Sequence, residues 1–274
     1  MPELPEVETI VRGLRSLIRG YTIENLIIRA ESLVAYPPVE EFQEVLKGKT
    51  IEDIDRRGKY ILLKLSGGKT LVVHLRMTGR LLVLAREVAY DKHTHIIFQL
   101  NKGLDLRFHD VRKFGRVYLV ADGDYRPAGG LQNLGPEPLA PEFTLGDFSK
   151  ALKGKKANIK SLLLNQSFIA GLGNIYTDEA LFAAAISPER SADSLKEDEV
   201  EALYDSIRLV LQKGIAAGGT SFSDYRDARG EKGNFQEELQ VYQQGGQECP
   251  RCGSIITKKK IAGRGTHYCP NCQK

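Results

Sequence analysis

Every cysteine of the 274-residue chain lies in its last 26 residues, as Cys249-x-x-Cys252, sixteen intervening residues and Cys269-x-x-Cys272. Two such knuckles at this separation present four thiolates to one tetrahedral centre, the arrangement of a structural zinc. The other use of four cysteines is a pair of disulfides, which belongs to oxidising compartments, and no secretory signal opens the chain. A closed four-sulfur site leaves no coordination position for chemistry. One Zn2+ is therefore expected to brace a β-hairpin within residues 240–274 rather than to catalyse. The hairpin tip, "KKKIAGRGTHY", is then available for binding. With Gly263 and Gly265 flanking it, Arg264 can bring its guanidinium to a phosphate; an exposed solubilising arginine is the competing explanation.

A chain of this length exceeds the usual single domain and suggests two or three units with their own cores. Hydrophobic residues make up 42% of it, but no run reaches the length of a membrane span. Secretion and membrane insertion are not expected. The net charge of +4 says little about partners, but its distribution is uneven. From Arg56 to Arg86 there are eight Lys or Arg residues and no acid. A second acid-free block, "ALKGKKANIK", carries Lys153, Lys155, Lys156 and Lys160, and the last 24 residues hold six basic residues and no acid. Each block alone can be a solvated face; three together point to a phosphate-bearing partner.

Hydrophobic period divides the chain. In "PEVETIVRGLRSLIRG" the residues Val7, Ile10, Val11, Leu14, Leu17 and Ile18 share one helical face, with Pro5 suited to the first turn and Gly20 to the stop. Short β-type runs follow, among them "KYILLKL", "TLVVHLRM", "HTHIIFQL", "LDLRFHD" and "GRVYLV", an antiparallel sandwich or barrel rhythm. The expected organisation is α+β: a β-sandwich or barrel domain with an N-terminal helix over 1–133, a proline-rich linker over 134–149, a helical domain over 150–239, and the zinc hairpin over 240–274. Helices are expected over about 156–165, 174–185 and 196–217. The polar stretch at about 218–236 reads as a flexible loop of the helical domain. Between two of the helices, "GLGN" suits either a helix connection or a phosphate-binding turn at a helix N-terminus.

The opening "MPELPEVET" poses a separate question. Removing Met1 would leave Pro2 with a free secondary amine, which no internal residue possesses. A stiff start to the fold, with Glu3, Glu6 and Glu8 complementing the helix dipole, is the plainer reading.

The strings "PELPEVET", "HLRMTGR", "DVRKFG", "LGPEPL", "GLGNIYTDEALF" and "GRGTHYCPNCQK" resemble, in order and from Pro2 to the final residues, the bacterial formamidopyrimidine-DNA glycosylases. The resemblance implies a two-domain repair enzyme, with an N-terminal β-sandwich and a helix-two-turn-helix domain, that excises 8-oxoguanine and formamidopyrimidines and then cuts the abasic strand by β,δ-elimination. Its partner would be double-stranded DNA carrying an oxidised purine or an abasic site, and it would act as a monomer in the bacterial cytoplasm, at the nucleoid. Pro2 then has a chemical purpose. A lysine amine, with a reference pKa of about 10.4, is almost wholly protonated at neutral pH, whereas an α-amine starts from about 8. A secondary amine also yields an iminium that is cationic without protonation.

By the same resemblance Glu3 is the general acid, Glu6 positions the reacting groups, and Lys59 and Arg264 assist the two eliminations. For Arg264, phosphate anchoring suits arginine better than proton donation. Met77, Arg112 and Phe114 would fill the space left by the extruded base, although Met and Phe in β-rich chain are commonly core. His74, His93, Lys155, Lys156 and Asn174 would contact the DNA backbone, with structural hydrogen bonding the competing role for the histidines. Two departures stand out: Asn165 replaces an acid common in the family, and the loop "TSFSDYRDARGEKGNFQ" differs from relatives, so no base-reading residue is assigned there. An endonuclease VIII-like enzyme for oxidised pyrimidines and a non-catalytic zinc-ribbon DNA-binding protein are the alternatives. Pro2 and Glu3 argue against the second.

Overall fold

The first helix forms as its period requires. Pro5 sits in the first turn of α1 (Leu4–Ile18), and Val7, Ile10, Val11, Leu14 and Ile18 are all buried on one face. The structure, a computed structural model, describes residues 1–222 and 225–274; residues 223 and 224 of the expected loop lie outside the described residues. The chain divides into two compact units, Met1–Asn133 with Ala217–Gln236, and Leu134–Ala216 with Glu237–Lys274.

Unit 1 is a two-sheet sandwich. The strands are β1 (Ile23–Ile28), β2 (Val34–Tyr36), β3 (Ile51–Arg57), β4 (Tyr60–Leu65), β5 (Lys69–His74), β6 (Gly79–Ala85), β7 (Thr94–Leu100), β8 (Leu104–Asp110) and β9 (Arg116–Ala121), with α2 (Val39–Leu46) inserted after β2 and the short α3 (Gly129–Gln132) after β9. One sheet has the order β1-β7-β8-β6 and the other β2-β9-β5-β4-β3. All pairings are antiparallel except β2 with β9. The core shows the period of two: Ile61, Leu63, Leu71, Val73, Val117 and Leu119 enter it from one sheet, and Leu81, Ile96, Phe98, Leu106 and Phe108 from the other, joined by the face of α1.

Residues 217–236 do not belong with the helical unit, where chain order suggested placing them. Tyr225 and Ala228 are buried in the sandwich core, and the Val83 N–H donates to the Ala228 carbonyl at 3.0 Å. Burial of these two side chains outweighs the polarity of the rest of the segment.

Unit 2 contains α4 (Leu145–Leu152), α5 (Ile159–Leu164), α6 (Asn174–Ala183), α7 (Glu197–Ala216) and the hairpin β10 (Thr257–Ile261) with β11 (Arg264–Tyr268). The expected helices are all present, a residue or more shorter at their ends, and α4 joins them with Thr144 accepting the Asp147 N–H at its N-terminus. Asn165 sits at the end of α5 and accepts both the N–H and the hydroxyl of Ser167, at 3.0 and 2.8 Å. The departure from an acid is thus accommodated by a local turn that an amide oxygen closes as well. No helix is long and apolar enough to cross a membrane among the described residues.

Candidate active site

Unit 1 carries Pro2, Glu3, Glu6 and Lys59, four of the residues expected to do chemistry. Pro2 is buried directly before α1, and Glu3, 3% exposed, occupies its N-cap position. The Glu6 carboxylate spans two segments far apart in sequence: one oxygen accepts the Glu3 N–H at 2.7 Å and the other the Thr220 N–H at 2.7 Å. Gly219 makes the second contact possible, because its φ of +84° favours glycine and a Cβ there would fall 2.9 Å from the Glu6 side chain. The Tyr225 hydroxyl donates toward the Gly218 carbonyl at 3.0 Å, and burial together with the Glu6 carboxylate holds its pKa well above the usual phenol value. Residues 218–220 are therefore fastened to the start of the first helix.

Lys59 lies 6% exposed in the turn joining β3 to β4. That turn is bound to α1 through Arg56, which donates to the Gly58 carbonyl and to Glu8, both at 3.0 Å. Glu8 also pairs with Arg12, so its carboxylate is held by two arginines. His74 is buried with its ring edge-on to Tyr60 and its Nδ1 accepting the Arg76 N–H at 3.1 Å. Burial, with the Arg76 and Lys59 cations beside it, pushes its pKa down to about 3. It is a neutral imidazole shaping the turn that follows β5.

That turn carries Met77, and the structure brings it to Arg112 and Phe114. The Arg112 guanidinium lies 4.7 Å from the Phe114 ring centroid, with Nη1 3.4 Å from the Met77 sulfur. Met77 and Phe114 are 44% and 46% exposed. They are not core, so a thioether, a cation and an aromatic ring form one projecting group. His93 is half-buried before β7, its N–H donating to Asp91 at 2.7 Å and its ring 5.6 Å from that of His109. The acid-free block from Arg56 to Arg86 is not acid-free in space: besides the Arg56 pair with Glu8, Lys64 meets Asp122 and Arg86 meets Glu24.

In unit 2 the four cysteine sulfurs lie within 4.8 Å of one another. Cys249 to Cys272 is 3.9 Å and Cys252 to Cys269 is 3.5 Å, too long for disulfides and close to the ~3.8 Å edge of a tetrahedron with ~2.3 Å zinc–sulfur bonds. The donor set fits one structural zinc. Arg264 opens β11 and is exposed, and the Asn174 amide at the start of α6 donates to the Gly265 carbonyl at 2.8 Å. Lys155 and Lys156 are exposed between α4 and α5 without side-chain partners among the described residues.

Lys160 is different. Although it shares a basic block with them, it is fully buried, donating to Asp178 at 2.5 Å and to the Thr266 hydroxyl at 2.7 Å. Asp178 also accepts the His267 N–H at 3.0 Å, while its neighbour Glu179 accepts the N–H groups of Gln240, Val241 and Tyr242. Burial raises the Glu179 carboxyl while those three bonds oppose the shift. Sequence reading gave these acids no role. The available signal was a helix apolar on every side except for two adjacent carboxylates, which need buried partners.

Comparisons with known proteins agree with this geometry. The formamidopyrimidine-DNA glycosylase N-terminal domain matches residues 1–117, the formamidopyrimidine-DNA glycosylase H2TH domain matches 134–226, and the zinc finger found in FPG and IleRS matches 246–274. The chain is 52% identical to the formamidopyrimidine-DNA glycosylase of Heliobacterium modesticaldum with all of both chains covered, and 48% identical to that of Pelotomaculum thermopropionicum, covering all of this chain and 99% of the relative. Among solved structures, a Lactococcus lactis FPG variant in complex with Fapy-dG-containing DNA aligns over all of both chains with a TM-score of 0.94 at 40% identity. The MutM (FPG) protein of Thermus thermophilus aligns over 99% of this chain and 98% of its own, with a TM-score of 0.90 at 42% identity. With three domain models in chain order and full-length relatives at about half identity, the chain belongs to the formamidopyrimidine-DNA glycosylase family of DNA-repair enzymes.

Proposed function

We propose that this enzyme removes oxidised purines, 8-oxoguanine and formamidopyrimidines, from duplex DNA and then cuts the strand at the abasic site through a covalent Pro2 intermediate. The observation that carries the reading is the start of α1: Pro2 is followed by two buried acids, Glu3 and Glu6, with the Glu6 carboxylate accepting the Glu3 N–H. Solved relatives support the substrate class, since they include complexes with Fapy-dG-containing DNA and with abasic-site DNA.

With Met1 removed, the Pro2 nitrogen attacks the sugar C1′ and the bond to the base breaks, the base leaving with the electron pair and taking up the proton that the Pro2 nitrogen gives up. Glu3 protonates the ring oxygen as the sugar opens, giving an iminium. A base takes a C2′ proton, the C–H electron pair moves into the iminium to give an enamine, and the enamine expels the 3′ phosphate with its electron pair; a second elimination expels the 5′ phosphate. Lys59, a buried cation on the turn fastened to α1, favours the free amine at Pro2 and supplies a proton in the first elimination. Met77, Arg112 and Phe114 fill the gap left by the extruded nucleotide. Lys155, Lys156, Asn174 and Arg264 hold phosphates, and His93 contacts the backbone from the sandwich.

Borohydride added with an 8-oxoguanine duplex is expected to trap a complex whose modified peptide begins at Pro2; attachment at an internal lysine would sink the mechanism. Glu3→Gln is expected to bind the duplex and lose base excision. One solved relative is in complex with oxidised-pyrimidine DNA, so the assay should include thymine glycol beside 8-oxoguanine, with faster excision of the pyrimidine counting against the purine assignment.

A further inference from the structure

One buried acid joins the two turns that carry the projecting group. Asp110 ends β8 opposite Gly79 and is completely buried. Its Oδ1 accepts the Thr78 hydroxyl at 2.5 Å and the Arg112 N–H at 3.2 Å, and its Oδ2 accepts the Gly115 N–H at 2.8 Å. Thr78 follows Met77 directly; Arg112 and Gly115 bracket Lys113 and Phe114. The Arg112 N–H also lies 3.2 Å from the Thr78 hydroxyl oxygen, which closes a small ring of bonds between the turns. Gly115 is required here, because a Cβ would fall 2.4 Å from the Phe108 ring and 3.1 Å from the carboxylate itself. The backbone of Asp110 reaches a third segment: its N–H donates to the His93 carbonyl at 2.9 Å, and its carbonyl lies 3.0 Å from His95 Nε2, which must therefore carry a proton.

We propose that Asp110 is the positioning residue for the Met77, Arg112 and Phe114 group, setting all three at once so that they enter the DNA as a unit. This rests on the reading of those residues as the group that fills the extruded nucleotide's place. The chemistry requires a carboxylate: three donors converge on its two oxygens, and an amide of the same shape offers one acceptor and an NH2. In one orientation Asp110→Asn sets its NH2 against the Gly115 N–H, and in the other against the Arg112 N–H while the Thr78 hydroxyl loses its acceptor. Asp110 touches neither the reacting atoms nor solvent, so its effect passes through the exposed residues it orders.

The test uses the full zinc-loaded chain and a duplex in which 2-aminopurine, a fluorescent base, stands opposite a tetrahydrofuran abasic analogue. Insertion of the group unstacks the reporter and changes its emission without any catalytic step. Asp110→Asn and Thr78→Val, the second removing only a hydroxyl, are expected to weaken binding to this duplex about ten-fold, diminish the emission change, and leave binding to undamaged duplex as in the wild type. Both are also expected to narrow the preference for excising 8-oxoguanine opposite cytosine over adenine, which a loss of stability alone would not move. Thr78→Val decides the matter if Asp110→Asn fails to fold. Wild-type emission change and affinity in a folded variant would overturn the proposal. A wild-type enzyme that changes the emission but leaves 8-oxoguanine in place would instead overturn the substrate assignment.

Discussion

At the scale of single residues, His74 offers the cleanest test of the local electrostatics. It is neutral in the folded protein because burial and two neighbouring cations hold its pKa near 3, against about 6.5 when unfolded. The unfolded chain therefore binds the proton first. The stability that neutral His74 contributes is present above about pH 6.5 and is lost as pH falls from there toward 3. His74→Asn keeps an acceptor for the Arg76 N–H but cannot titrate, so urea unfolding at pH 7.5 and 5 should show the wild type losing roughly 2 kcal/mol more than the variant between the two. Equal losses would mean that His74 is solvated in the native state. Residues of this kind mark the limit of sequence reading. The cysteines were legible because spacing carries their chemistry, whereas Lys160 and Asp110 look like ordinary charges until a partner 18 or 32 positions away is known.

At the scale of elements, the zinc hairpin is held at both ends. The turn between β10 and β11 consists of Ala262 and Gly263, both at positive φ, +51° and +72°. This is the backbone of a tight two-residue hairpin turn, for which alanine is poorly suited. Ala262→Asn is expected to stabilise the hairpin by about 0.5–1 kcal/mol, read as slower zinc loss to a chelator; unchanged zinc release would show that the turn does not limit it. At the other end, Asp178 and Lys160 form a buried pair roofed by Thr266. Asp178→Asn leaves a buried ammonium without its counter-charge and should cost about 3 kcal/mol or more in urea unfolding, while joint replacement of Lys160 by Met and Asp178 by Leu should cost far less. A loss under about 1 kcal/mol for Asp178→Asn would mean that water reaches the pair. Period made the strands, α1 and α7 readable, because each buries a regular face, while α6 was readable as an apolar run buried on every side. The segment 217–236 was not readable, since its attachment depends on two side chains, Tyr225 and Ala228, set in an otherwise polar run.

At the scale of the whole molecule, the residues proposed for chemistry and those proposed to hold the DNA fall in different units. Pro2, Glu3, Glu6 and Lys59 all belong to unit 1, and the return of residues 217–236 to that unit places Thr220 on the same body as the carboxylate it meets. The zinc hairpin, Asn174 and the exposed lysines Lys155 and Lys156 belong to unit 2. Loss of zinc should therefore act on holding the DNA and not on the chemistry at Pro2. In Cys252→Ser the hairpin loses the metal that folds it, and Arg264 loses its scaffold. Affinity for a lesion duplex, followed by fluorescence anisotropy, should fall about ten-fold or more, and the dependence of log Kd on log salt should flatten by about one unit, the share of one phosphate contact. Arg264→Ala in the zinc-loaded protein should reproduce the flattening with a smaller loss of affinity. Borohydride trapping on single-stranded abasic DNA at saturating concentration should stay within about two-fold of wild type in both variants, because Pro2, Glu3 and Lys59 all belong to unit 1 and are untouched. If trapping at saturation collapses along with affinity, the hairpin takes part in forming the iminium, and the division of labour between the two units has to be given up.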